Sequence, residues 1–191
     1  MGGGVGLTWH SPVRVATDNS MYAMPETAIG LFCDVGGSYF LSHIHKSDPS
    51  VGLYLGITGQ RVKARDLVTW GIATHYVPTA KLNDLVSSIS TKVTEKSSNQ
   101  EIIDIVNNHS ELTAAQTPEI PNHQEIRDIF QLDSAAEIIK RLDASTTPFA
   151  DSTRKLLTKM SPLSIAVVFE QIKRGCKMTI HDVFKMEYRM S

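Results

Sequence analysis

Residues 24–37 read MPETAIGLFCDVGG, and this stretch decides how the rest of the chain is understood. Two carboxylates, Glu26 and Asp34, stand in an otherwise uncharged, apolar and glycine-rich segment. No basic residue lies between Arg14 and Lys46, so neither acid has an ion-pair partner nearby in sequence. Burial of such a carboxylate raises its pKa toward the range useful to a general base. The spacing equally allows a plainer arrangement, with Glu26 exposed at a turn and Asp34 capping the segment after it.

Outward from this stretch, the other motifs are weaker. Gly2-Gly3-Gly4 leads into residues 5–10, VGLTWH, which read as a short buried helix. Glycines at a helix start leave backbone N–H groups open to close approach, as an oxyanion hole requires; a close-packed glycine turn is the alternative. Trp9 stands where a dinucleotide fingerprint would place its third glycine, so that motif is excluded. Cys33 has no histidine nearby in sequence and reads as a buried, inert thiol. His43 and His45 suit one face of a strand and are too few for a metal site. Arg61, Lys63 and Arg65 read as a solvated helix start in preference to a phosphate site.

The texture of the chain changes near residue 78, which predicts two regions, 1–78 and 79–191. In the first, residues 13–16 and 21–24 read as strands either side of a Thr17-Asp18-Asn19-Ser20 turn, with Pro25 ending the second. Residues 51–57 and 63–70 read as short helices closed by Gly59 and Gly71. After Thr79 the period is helical: Leu82, Leu85, Val86, Ile89 and Val93 form one stripe, and Ile102, Ile103 and Val106 another. Ser134 and Glu137 predict a capping box opening a helix that buries Ile138, Ile139 and Leu142. Ser161-Pro162 opens a further helix that Gly175 is expected to stop, and Thr179 caps a last one. Residues 116–122, with two prolines, are the expected linker. The fold class is therefore α/β.

Composition excludes several classes of function. The 191 residues are 41% hydrophobic and 20% charged, which suits a globular core and not disorder. Nineteen Lys and Arg against 20 Asp and Glu give a net charge of −1, unlike a generally basic nucleic-acid binder. Two cysteines support neither a disulfide framework nor a four-cysteine zinc site. The apolar runs fall short of the ~20 residues that span a bilayer, and no targeting segment is legible. No nucleic acid, membrane or metal is expected as a partner.

Taken together, these residues resemble the 3-hydroxyisobutyryl-CoA hydrolase family of the crotonase (enoyl-CoA hydratase) superfamily. The matching pieces are MGGGVGL, RVAT, AMPETAIGLFCDVGGSYFL, YLGITGQRVKARDLVTWGIATHYV, MSPLS and the closing MEYRMS. The resemblance covers the whole chain, most strongly before residue 80. It implies a partial crotonase-like ββα spiral core followed by an α-helical region where the superfamily forms homo-oligomer contacts. It also implies hydrolysis of a short, branched 3-hydroxyacyl-CoA thioester in mitochondrial valine breakdown, with coenzyme A as part of the substrate and no separate cofactor. By position, Gly3 matches the glycine whose N–H forms half of the oxyanion hole. Glu26 matches the acid that acts on the thioester carbonyl, as nucleophile or as base for water. Asp34 matches the acid that contacts the substrate's 3-hydroxyl.

The departures from the family pattern carry expectations too. Family members have a long segment before MGGG, which supplies the second oxyanion amide and much of the CoA surface, and a helical stretch after EYRMS. The chain is accordingly expected to be a fragment with one half of an active site, its own activity in question. Position 33 is usually Pro and is Cys here, which predicts a looser loop around Asp34. Two alternatives stand beside the hydrolase. Enoyl-CoA hydration is disfavoured because Gly6 occupies the place of one of the two hydratase acids. A non-catalytic homologue of the mitochondrial small ribosomal subunit type is disfavoured by the retention of Glu26 and Asp34.

Overall fold

The computed structural model describes residues 1–131 and 133–191, and the chain divides into two compact units interleaved in sequence. The first comprises Met1–His10, Ala23–Arg61 and Ile120–Ser191, the second Ser11–Tyr22 and Val62–Glu119. The passage between units after Glu119 falls inside the segment expected as a linker. Numbered in chain order, the first unit holds α1 (Gly3–Trp9), α2 (Gly37–Ser47) and α3 (Pro49–Thr58). It also holds α7 (His123–Phe130), α8 (Ala135–Ala144), α9 (Pro148–Leu157), α10 (Pro162–Gly175) and α11 (Ile180–Met190). The second holds α4 (Asp66–Thr69), α5 (Leu82–Lys92), α6 (Asn99–His109) and five two-residue strands.

The first unit is organised around α3. Asp48 caps it by accepting the Ser50 N–H, Pro49 sits in its first turn, and Gly59 ends it at φ 62°. Every residue from Ser50 to Thr58 is buried, so this helix is enclosed on all sides. Two glycines make that enclosure possible. A Cβ on Gly52 would lie 1.7 Å from the Leu41 carbonyl oxygen of α2, and one on Gly56 would lie 3.0 Å from both Ile172 Cδ1 of α10 and Leu41 Cδ1. Tyr54 meets Phe130 of α7 edge-on at 5.4 Å and Phe149 of α9 at 5.5 Å.

The later helices follow their sequence signals at the ends and depart from them on the faces. Ser134 accepts the Glu137 N–H, but the expected capping box is not reciprocal, since the Glu137 carboxylate takes the Asp133 N–H; Ile138 and Leu142 are buried and Ile139 is exposed. Ser161 and Thr179 cap α10 and α11 as expected. Gly175 is the last residue of α10, where the helix was expected to stop, and its small size has a packing cause. A Cβ there would stand 2.0 Å from the Ser38 carbonyl oxygen, so the position serves close approach of α10 to α2 and not a left-handed cap.

In the second unit, β1 (Val15–Ala16) runs parallel to β4 (His75–Tyr76), which pairs antiparallel with β5 (Leu112–Thr113). β2 (Met21–Tyr22) pairs antiparallel with β3 (Val62–Lys63). Both expected early strands exist, shortened, and each pairs with a distant segment rather than with the other. The helix expected over 63–70 is instead strand β3, a turn with Ala64 at φ 48°, and the single turn α4. Pairing of Lys63 with Met21 takes that residue out of the helix, which is tertiary pairing overriding local propensity. Val77, Leu85 and Val106 form the core under α5 and α6, with Leu82, Ile89 and Ile105 packed against it; Val86 is exposed. A reciprocal Ser98–Glu101 capping box opens α6, a signal the sequence reading passed over. Among the described residues no helix is long and apolar enough to cross a membrane.

Gly52→Ala is expected to destabilise the protein by about 3 kcal/mol, because its Cβ meets backbone that no rotamer change can move aside. Urea unfolding of the two proteins measures the difference.

Candidate active site

The candidate residues of the sequence gather where three pieces of the first unit meet: the start of α1, the turn at Glu26 and the turn before α2. Gly2 takes φ 54° and ψ −133°, a conformation that favours glycine, and donates its N–H to Ala23 O at 3.4 Å. The first amides of α1, beginning with Gly3, have no acceptor inside the helix. The helix itself is less buried than expected, since only Val5 and Gly6 are covered and Leu7 is 87% exposed.

Glu26 opens a 3-10 turn, Glu26–Ile29, closed by Gly30 at φ 79°. Leu31 returns its N–H to the Glu26 carbonyl at 2.9 Å. Thr27 ties the turn down twice, donating its hydroxyl to Ile57 O of α3 at 3.1 Å and accepting the Ser161 N–H at 2.9 Å. The Glu26 side chain is thereby held inward, 7% exposed, with Oε1 only 3.6 Å from where a Cβ on Gly2 would be. Its Oε2 is buried with no hydrogen-bond partner among the described residues. Burial pushes the Glu26 carboxyl above the ordinary glutamate range, and the negative charge of Asp34 pushes in the same direction.

Asp34 does not share that burial. It is exposed, so of the two alternatives left open by the spacing, burial holds for Glu26 alone. Nor does Asp34 cap α2; Gly36 occupies that position at φ 84°. Asp34, Val35 and Gly36 form a tight turn in which Gly37 donates to Asp34 O at 2.8 Å. Val35 sits at φ 53°, where a β-branched residue is strained by ~1–3 kcal/mol unless its surroundings impose the shape. The surroundings do so on the α1 side: Cβ atoms on Gly3 and Gly6 would lie 3.9 Å from Val35 Cγ1 and 2.3 Å from Val35 O.

On the other side the turn is gripped by two residues that the sequence reading missed. The Glu187 carboxylate of α11 accepts the Gly36 N–H at 2.7 Å, the Ser38 N–H at 2.9 Å and the Ser38 hydroxyl at 2.7 Å. The Gln171 amide of α10 donates to Cys33 O at 2.6 Å and to Ser38 Oγ at 3.1 Å. Both are buried. The available signal for Glu187 was its place four residues after Val183 on the covered face of a capped helix.

The remaining candidates resolve simply. Cys33 is fully buried, burial raises its thiol pKa well above the usual value, and its Sγ–H reaches Gly56 O at 3.7 Å; it is an inert core thiol. His43 and His45 lie on helix α2 and not on a strand; the His43 ring stacks on Tyr39 and its Nδ1 lies 2.8 Å from Tyr39 O. Arg65 pairs with Glu111 and covers the Tyr76 ring.

The site therefore sets one buried carboxylate with a free oxygen beside glycine backbone at a helix start, next to a strained turn carrying a second acid. Comparison with known proteins identifies the family of the chain. The family model "Enoyl-CoA hydratase/isomerase" matches residues 1–191. The chain is 42% identical over 195 residues to 3-hydroxyisobutyryl-CoA hydrolase, mitochondrial, of Gallus gallus, and 38% identical over 193 residues to that of Homo sapiens. Each alignment covers all of this chain and 49% of the relative, so the chain spans about half the length of the curated relatives it matches. Among solved structures it superposes on a carnitinyl-CoA dehydratase from Mycobacterium thermoresistibile, with TM-score 0.83, 31% identity and coverage of 99% of this chain and 52% of that one. An enoyl-CoA hydratase from Rhodobacter sphaeroides 2.4.1 gives TM-score 0.76, 32% identity, 99% and 51%. With its whole length matched by the family model and the crotonase fold shared with both structures, the chain belongs to the enoyl-CoA hydratase/isomerase family.

Proposed function

We propose that the protein to which this chain belongs hydrolyses a short, branched 3-hydroxyacyl-CoA thioester, 3-hydroxyisobutyryl-CoA in valine breakdown, in the mitochondrion. The observation that carries the reading is the buried Glu26 carboxylate, whose Oε2 has no protein partner and whose Oε1 lies against the glycine run. In the proposed reaction the Gly3 N–H donates to the thioester oxygen as negative charge develops on it. Either Glu26 removes a proton from the water that attacks the carbonyl carbon and passes it to the departing sulfur as the carbon–sulfur bond breaks, or Glu26 attacks the carbon itself, CoA leaves as a thiolate that takes a proton from water, and a second water cleaves the acyl–Glu26 anhydride to free the acid and the carboxylate. Asp34, exposed at the tip of its turn, contacts the substrate's 3-hydroxyl. Coenzyme A is part of the substrate, and no separate cofactor enters.

Position 6 supports hydrolysis over hydration. A hydratase would place a catalytic acid there, and any side chain at Gly6 would run into the Val35 carbonyl, since even a Cβ would stand 2.3 Å away. Burial supports an enzyme over a scaffold. An ionisable side chain buried with one oxygen unpaired costs folding free energy, which a purely structural protein has no reason to retain.

In the hydrolase of which this sequence is part, Glu26→Gln is expected to lower thioester hydrolysis by ~10²–10⁴-fold, measured as CoA thiol release. Unchanged hydrolysis would rule the assignment out. Attack requires the ionised carboxylate, so activity falls as pH drops through the Glu26 midpoint. That acid limb is expected above the ordinary glutamate range, and Asp34→Asn is expected to move it downward by removing a like charge.

The same shift has a sign for stability. A carboxyl whose pKa is raised by folding binds its proton more tightly when folded. Its contribution is therefore fully present below the unfolded glutamate pKa and lost as pH rises through the raised folded value. Glu26→Gln is accordingly expected to be more stable than the parent at pH 7, with the gain vanishing in acid. Thermal melts across that range provide the check.

A further inference from the structure

The amide groups at the start of α2 are satisfied from a place far away in the chain. Gly36, the cap residue, is glycine and has no side chain with which to cap the first N–H groups of the helix. The Gly37 N–H is taken by Asp34 O within the turn. The Gly36 and Ser38 N–H groups and the Ser38 hydroxyl all go to one carboxylate, that of Glu187, which is 5% exposed. A negative charge at a helix N-terminus also meets the favourable end of the macrodipole. The Phe184 and Ile180 side chains, on the same helix as Glu187, close over Gly36, whose Cβ would lie 3.4 Å from Phe184 Cζ and 3.6 Å from Ile180 Cδ1. Helix α11 thus holds the exact residues on which the shape of the Asp34 turn depends.

We propose that Glu187 is a positioning residue, whose carboxylate caps α2 from α11 and so fixes the Asp34–Gly36 turn that carries the Asp34 carboxylate. Three hydrogen bonds to one buried carboxyl group outweigh the strain of one β-branched residue in the left-handed region. Removal of the cap frees Val35 to relax toward φ below zero, and that rotation swings Asp34, its neighbour, away. Gln171 secures the other end of the turn through Cys33 O, so the movement is confined to residues 34–36. The placement of Asp34 for chemistry rests on the hydrolase reading above; the capping geometry does not.

The test reads geometry without turnover, so its failure is distinguishable from a failure of the hydrolase reading. Glu187→Gln keeps the length and one acceptor oxygen but turns an N–H₂ group toward the Gly36 N–H. Hydrogen exchange of the Gly36 and Ser38 amides is expected to accelerate at least tenfold. The Glu26 midpoint, followed by carbon-13 NMR of its side-chain carboxyl, is expected to shift downward in the direction that Asp34→Asn shifts it, and the double variant to add little to either. Val183→Ala loosens the same helix without touching the turn and is expected to leave the Glu26 midpoint in place. Should Glu187→Gln fail to fold, Ser38→Ala removes one of the three donors and is expected to give a smaller shift of the same sign. The proposal is overturned if the cap variants leave the Glu26 midpoint where it was, if Val183→Ala moves it as far, or if Asp34→Asn does not move it.

Discussion

The structure of the first unit depends on how closely other backbone can approach residues 35–41. Three glycines, remote from one another in sequence, sit against carbonyl oxygens of this short segment: Gly6 against Val35, Gly175 against Ser38 and Gly52 against Leu41. At each, a Cβ would lie between 1.7 and 2.3 Å from the oxygen, a separation that no side-chain rearrangement relieves. Helices α1, α3 and α10 are therefore set around α2 by backbone contact, and the catalytic candidates inherit their places from it. Glu26 is held by Thr27 against α3, and the Asp34 turn is the lead-in to α2 itself.

This arrangement places different demands on the two acids. Glu26 is buried in a setting that opposes its charge, while Asp34 is exposed on a turn kept in an unfavourable backbone shape. Both features cost stability, and the turn beside Asp34 is held from several sides. Ser38 alone is engaged through its N–H, its hydroxyl and its carbonyl side by Glu187, Gln171 and Gly175. Strain of this kind persists only where surrounding structure over-determines the conformation. The helices after residue 120, bland in sequence, supply that over-determination.

The elements most legible in sequence were those with local chemical punctuation. Thr179, Ser161 and Ser134 each cap the helix their sequence announces, because a hydroxyl beside a first-turn amide is a short-range interaction. The failures share a cause of the opposite kind. Residues 63–70 carry a helical pattern, yet Lys63 is drawn into pairing with Met21, and Ile139 continues an apolar run whose partner face is already filled by Ile138 and Leu142. The site divided in the same way. Glu26 and Asp34 stood out for lack of local counter-charge, whereas Glu187 and Gln171 act across more than a hundred residues and carry no local sign of it.

Cys33 shows how far that long-range support extends. A proline at this position would fix φ and lower the entropy of the unfolded chain, an effect of ~0.4–1 kcal/mol. Its replacement predicts a looser turn, yet the residue is fully buried, its thiol directed at Gly56 O and its carbonyl bound by Gln171. The shape of residues 33–38 is set in the folded state by acceptors and donors on α10 and α11, so the restraint that proline would add acts chiefly on the unfolded chain. A proline there is accordingly expected to raise stability while leaving Asp34 in place. The geometry of the turn is decided by the helices that close over it and not by the ring its sequence lacks.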